Sequence, residues 1–111
     1  YVNKKELLDS IDRAALISKE GKNSPVRFDI RQDRMIITSN TDAGSAYEEV
    51  AIRLEGEGMV TPFNPKYYMD ALRAIDDDTV CILYSSSLSP CIIQGAQGEN
   101  YKYFILPIRL N

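Results

Sequence analysis

Apolar side chains recur at helical spacing in two places along the chain. In the stretch FNPKYYMDALRAI, starting at Phe63, the residues Tyr68, Met69, Ala71, Leu72 and Ile75 fall on one stripe, and Lys66, Asp70 and Arg73 fall opposite it. Asn64 can cap such a helix by accepting from amides two or three residues on. Pro65 follows at the first helical position, where a missing amide hydrogen costs nothing. The spacing therefore predicts a helix over 65–75. Just upstream, 58–62 reads as a short strand, with Pro62 at its end because proline cannot donate to a ladder. The other stretch lies near the start of the chain. Leu7, Leu8, Ile11, Ala14, Ala15 and Ser18 share a face there, and Lys5, Asp9 and Arg13 lie on the other, which predicts a helix over about 4–18. Asn3 is its cap, and Glu6, three residues on, completes a capping-box-like pair. Gly21, Asn23, Ser24 and Pro25 end that helix in a loop.

The two stretches superpose when Asn3 is set on Asn64, an offset of 61 residues (64 minus 3). Val2 then matches Phe63, Lys5 matches Lys66, Leu8 matches Met69, Asp9 matches Asp70 and Ile11 matches Leu72. The correspondence implies an internal duplication. Between the helices, Val26–Ile30 alternates in polarity, and Met35–Thr38 returns from it after a turn at Gln32 and Asp33. Ala46–Leu54 is a third strand; Tyr47 and Val50 break its alternation, which a bulge at Glu48 and Glu49 would repair. After the second helix, Thr79–Tyr84, Pro90–Gln94 and Tyr101–Pro107 read as three more strands. The formula is strand, helix and three strands, twice. The expected fold class is α+β, with both helices side by side on one face of antiparallel sheet that covers their apolar stripes.

Composition limits the chemistry. The 111 residues suit a single domain with its own core, at 44% hydrophobic and 26% charged residues. No apolar run approaches the roughly 20 residues needed to span a membrane, and no targeting segment is visible. The net charge of −3 argues against bulk non-specific binding to nucleic acid while allowing a locally basic face. Cys81 and Cys91 sit inside apolar strand patterns and read as small buried hydrophobes in a reducing cytoplasm. There is no histidine, which removes the commonest general base and the commonest metal ligand. No metal site and no cofactor is expected. Asp76, Asp77 and Asp78 follow the second helix; they read as a solvated turn, or alternatively as the divalent-metal cluster of a small Mg-dependent nuclease or phosphatase. The opening Tyr1, inside a strand pattern, suggests a fragment of a longer chain.

Two segments, FNPKYYMDALRAI and the terminal YFILPIRLN, resemble the C-terminal third domain of the bacterial sliding clamp, the beta subunit of DNA polymerase III. VRFDI, MIITSN and the run from Thr79 to Ile93 are similar to it as well, so the resemblance covers essentially the whole chain. It implies the DNA-clamp fold, a single domain over 1–111, and a cytoplasmic processivity factor rather than an enzyme. In that family two subunits of three such domains close into a homodimeric ring around duplex DNA and tether the polymerase to its template. The fragment alone is expected to be monomeric. The resemblance turns the solvent faces of the two helices toward DNA, so Lys5, Arg13, Lys66 and Arg73 are expected to face phosphates without reading bases. It also implies a pocket for short hydrophobic motifs carried by the polymerase, the clamp loader and repair proteins. Matching its segments places Asn64, Tyr67, Leu88, Pro90, Phe104, Ile105, Leu106, Pro107, Ile108, Arg109 and Leu110 at that pocket. The residues agree with this: Pro107 must take the chain out of the ladder, which frees Ile108 and Leu110 to line a groove rimmed by Arg109.

Overall fold

A computed structural model describes residues 1–16, 26–41, 44–86, 89–96 and 102–107. The order is β1 (Val2–Asn3), α1 (Lys4–Ala15), β2 (Val26–Ile30), β3 (Arg34–Thr41) and β4 (Gly44–Ala51), then β5 (Met59–Phe63), α2 (Pro65–Ala74), β6 (Thr79–Leu83), β7 (Cys91–Gly95) and β8 (Lys102–Ile105). Both helices start where their caps predict. The Asn3 side chain accepts from the Glu6 amide, and the Asn64 side chain accepts from the Lys66 amide, both at 2.9 Å. Each satisfies one of the orphan donors of a first turn. Helix α1 ends at Ala15, short of the expected position 18, and Ser18 lies outside the described residues.

The strands form two four-stranded antiparallel sheets, in the orders β1-β6-β7-β8 and β4-β3-β2-β5. Each sheet takes three strands from one strand-helix-three-strand unit and its remaining strand from the other. The registers match across the exchange: Val2 pairs with Val80, and its counterpart Phe63 pairs with Val26. The duplication is therefore built into the pairing as well as the sequence. The antiparallel sheet expected to cover the apolar stripes is made of these two sheets, bridged where β1 meets the chain after β4. There Val2 bridges Ile52, and Tyr1 and Arg53 exchange backbone bonds of 2.9 and 3.0 Å.

Both helices pack side by side against one shared core. Leu7, Ile11 and Ala14 of α1 meet Tyr68, Ala71 and Leu72 of α2 in a cluster with Val26, Phe28, Ile37, Phe63, Val80 and Ile93 from both sheets. Burying each large side chain of this set contributes about 1.5–3 kcal/mol. Phe28, Phe63 and Tyr68 form a triangle of rings with centroids 4.7 to 5.6 Å apart, a spacing suited to edge-to-face contact.

Two strand expectations are corrected. The β3–β4 ladder runs without interruption from Arg34↔Ala51 to Thr41↔Gly44, so there is no bulge at Glu48 and Glu49. Instead Tyr47 points to solvent, 60% exposed, and Glu48 takes the inward position. An inward carboxylate is tolerated because Arg13 of α1 donates to it twice, through Nε at 3.0 Å and a terminal nitrogen at 2.9 Å. Pro62 also lies inside β5, paired with Arg27, rather than closing it. β5 is an edge strand, so the missing donor can face away from the ladder.

Candidate functional site

The helix α2 and the edge strand β8 reach the same end of the domain. The Asn64 cap and Pro65 fix the first turn, which presents Tyr67 and, one turn on, Asp70 and Ala71 on one side. Strand β8 ends at Ile105, and Leu106 and Pro107 have already left the ladder, two residues before the expected exit. Between them lies a groove of about 500 Å³, walled by Asn64, Tyr67, Asp70 and Ala71 on the helix and by Tyr103 to Leu106 on the strand side. Its lining is mainly apolar. Tyr67, Phe104 and Leu106 are 60%, 66% and 72% exposed, so three large apolar side chains stand at the surface around one concavity. Exposed apolar groups gathered in this way mark a binding surface. Ile105 does two jobs: it is buried in the core and also forms part of the groove wall.

The wall behind Tyr67 is rigid for a chemical reason. Its neighbour Tyr68 is fully buried, and its hydroxyl lies 3.0 Å from that of Tyr84. The buried Cys91 thiol lies close enough to perturb both and completes the cluster. Burial is the main cause holding the Tyr68 and Tyr84 phenols well above their ordinary range. Burial likewise pushes the Cys91 thiol up to about 12, against a partly offsetting hydrogen bond from Tyr68. All three are neutral at physiological pH, so they satisfy one another without burying charge.

Of the residues expected at the pocket, the structure brings together Asn64, Tyr67, Phe104, Ile105 and Leu106. Pro90 is exposed just ahead of β7, and Pro107 is half-buried; neither is part of the groove wall. Pro90 immediately precedes β7, whose first residue Cys91 pairs with Ile105, and Pro107 follows Leu106 past the wall. Leu88, Ile108, Arg109 and Leu110 lie outside the described residues. Sequence reasoning missed Asp70, Ala71 and Tyr103. The signal for Ala71 was present, since 64, 67 and 71 share a helical face; Asp70 was instead assigned to the solvent side.

The basic residues of the helices are placed unequally. Lys5 is exposed and pairs with Asp9 at 3.4 Å, and Arg73 pairs with Asp70 at 3.7 Å. Lys66 is exposed within the first turn, two residues past the cap. Arg13 is committed to Glu48 and Ser10, which draws it toward β4. Asp76 and Asp78 are exposed, whereas the Asp77 carboxylate packs over Gly95, where a Cβ would come within 2.5 Å of it. The three diverge, and among the described residues no group of three His, Cys, Asp or Glu side chains could hold a metal ion. The ammonium of Lys4 donates to the Ile75 carbonyl and offsets the negative end of α2 beside this acidic turn.

A duplicated domain with two helices backed by two antiparallel sheets, carrying an apolar groove at one end, defines a clamp-type binding domain. Residues 1–109 match the family described as DNA polymerase III beta subunit, C-terminal domain, and the chain belongs to that family, a family of non-catalytic processivity factors. It is 35% identical over 111 residues to the beta sliding clamp of Bacillus subtilis, covering 97% of this chain and 29% of that protein. It is 36% identical over 106 residues to the beta sliding clamp of Staphylococcus aureus, covering 94% and 28%. The crystal structure of the DNA polymerase III beta subunit from Thermotoga maritima superposes with a TM-score of 0.93 at 36% identity, over 99% of this chain and 30% of that one. The chain thus spans less than a third of the length of these relatives. No helix among the described residues is long and apolar enough to cross a membrane.

Proposed function

We propose that these 111 residues act as the third domain of a bacterial replicative sliding clamp and supply one wall of its peptide-binding pocket. The observation that carries this reading is the groove between the first turns of α2 and the end of β8, in a chain that matches the family over 1–109. In the intact protein, two three-domain subunits encircle duplex DNA in the cytoplasm, and the ring converts repeated rebinding of the polymerase into an effectively intramolecular event. Lys5, Lys66 and Arg73 face the phosphates from the exposed sides of the helices; Arg13 contributes less because Glu48 already holds it. The polymerase, the clamp loader and repair proteins dock short hydrophobic motifs in the groove, where an aromatic or leucine anchor leaves water. The family resemblance assigns Leu88, Ile108, Arg109 and Leu110 to the same pocket.

The test is a titration of a fluorescent peptide with a Leu- and Phe-rich core. Tyr67→Ala is expected to weaken binding about tenfold, a typical loss for an exposed aromatic anchor, with little change in folding stability because Tyr67 is 60% exposed. Unchanged affinity in that variant contradicts the proposal. Affinity for this domain alone is weaker than for the intact clamp, whose preceding domain supplies the opposite wall.

A further inference from the structure

The outer faces of the two sheets differ in a way their duplication makes plain. Side chains alternate between the faces of a strand. Ile82, Ile93 and Ile105 pack in the core, so their neighbours Leu83, Ile92 and Phe104 face away from it. Leu83 pairs with Ile92, and Ile92 with Phe104, which sets the three in one row across the sheet. Leu83 and Phe104 are exposed, and Ile92 is half-buried between them. The other sheet carries an equivalent row. Val2 matches Phe63, so their partners Val80 and Val26 are counterparts, and three residues further on Leu83 corresponds to Asp29. Asp29 pairs with Ile36, and Ile36 with Glu49. Both carboxylates are held by arginines, Asp29 by Arg31 at 3.0 Å and Glu49 by Arg34 at 2.8 Å. One copy of the row thus ends in ion pairs, whereas the other is hydrocarbon throughout. Lys102, two residues along β8 from Phe104, is the nearest charge on that strand's outer side.

Where the apolar row starts says what covers it. Phe104 belongs both to the row and to the wall of the groove between α2 and β8. The row therefore begins at the groove and leads away from it across two strand spacings, about 10 Å, the reach of about three extended residues. We infer that the partner segment flanking the docked anchor continues over Phe104 and lies on Ile92 and Leu83, so that this domain favours partners whose anchor adjoins a short, uncharged, apolar stretch. This rests on the peptide-binding reading of the groove and extends it onto a second surface. An apolar flank leaves water on that row, whereas a charged flank loses hydration there without gaining a partner.

The experiment uses a fluorescein-labelled octapeptide with a Leu- and Phe-rich core. It is compared with versions lengthened at one end or the other by Leu-Ala-Val or by Ser-Gly-Ser, each labelled at the end that is not lengthened. In anisotropy titrations with the 111-residue chain, Leu-Ala-Val at one end is expected to bind about five- to tenfold tighter than Ser-Gly-Ser at that end, the size of one partly buried aliphatic side chain. At the other end the two extensions bind alike, because the row leaves the groove in one direction. The gain persists as salt is raised from about 50 to about 500 mM, since no ion pair carries it. Leu83→Gln and Ile92→Thr each reduce the gain and leave the unextended octapeptide unaffected. Val60→Gln, which removes an equally exposed aliphatic side chain from the outer face of the other sheet, leaves the gain intact. Equal affinities for the two extensions at both ends overturn the inference while leaving the groove reading standing. A gain at both ends, or one that survives Leu83→Gln and Ile92→Thr, marks non-specific adhesion and overturns it too. A dimer of the unaltered chain in light scattering that Leu83→Gln abolishes gives the row to a second copy and likewise overturns it. Failure of every peptide to bind overturns the groove reading and the inference together.

Discussion

Single side chains set the boundaries of this domain and much of its stability. Asn3 and Asn64 each satisfy a first-turn amide, so Asn3→Ala and Asn64→Ala should each cost about 1 kcal/mol in urea unfolding. Asn64→Ala should also weaken peptide binding, because Asn64 belongs to the groove wall. These caps were legible because capping depends on the few residues around the helix start. Gly58 was not legible: a Cβ there would stand 2.1 Å from the Ile30 carbonyl oxygen, a contact made only by the folded chain. Gly58→Ala should cost about 1–3 kcal/mol through overpacking, measured by the same unfolding curves. The buried Tyr68, Tyr84 and Cys91 cluster predicts a pH dependence. Their folded pKa values are raised above the ordinary values of 10.0 for the phenols and 9.0 for the thiol. The unfolded chain therefore releases these protons first as pH rises. Stability from this source is full below about pH 9 and falls above it. Thermal unfolding from pH 7 to 11 should show that fall, and a stability that stays level to pH 11 contradicts the assignment.

At the scale of elements, the helices and the repeated order of strands could be read from period and caps, whereas the partnering of strands could not. Exchange of β1 and β5 between the units depends on pairs far apart in sequence, such as Val2 with Val80, which no local pattern specifies. The misplaced bulge has a similar origin. α1 lies over β4, and Arg13 offers the inward Glu48 a partner that the strand pattern alone does not reveal. Asp70 is exposed as its helical position implies, but its place at the groove was not legible because the groove depends on β8, 32 residues further on (102 minus 70). The Arg13–Glu48 contact yields a prediction about DNA. Lys66→Ala should weaken retention of the assembled clamp on duplex DNA more than Arg13→Ala does, since Lys66 is exposed and Arg13 is already engaged. Salt-dependent dissociation rates check this, with the larger loss of salt sensitivity expected for Lys66.

For the whole molecule, the core and the groove belong to different parts of the problem. The core closes within these residues, since both helices and both sheets contribute to one cluster. The proposed pocket and ring need further domains, and the relatives are more than three times as long as this chain. The chain alone is therefore expected to be monomeric by light scattering. The resemblance made five groove residues legible, while the second wall lies outside any reading of this chain. The most direct test of the central claim is an NMR titration of the 111-residue chain with the Leu- and Phe-rich peptide. The account predicts amide shifts concentrated at Asn64, Tyr67, Ala71 and Tyr103 to Leu106, with Lys5 and Asp9 on the outer face of α1 silent. Shifts gathered at Lys5 and Asp9, with the groove silent, would contradict it.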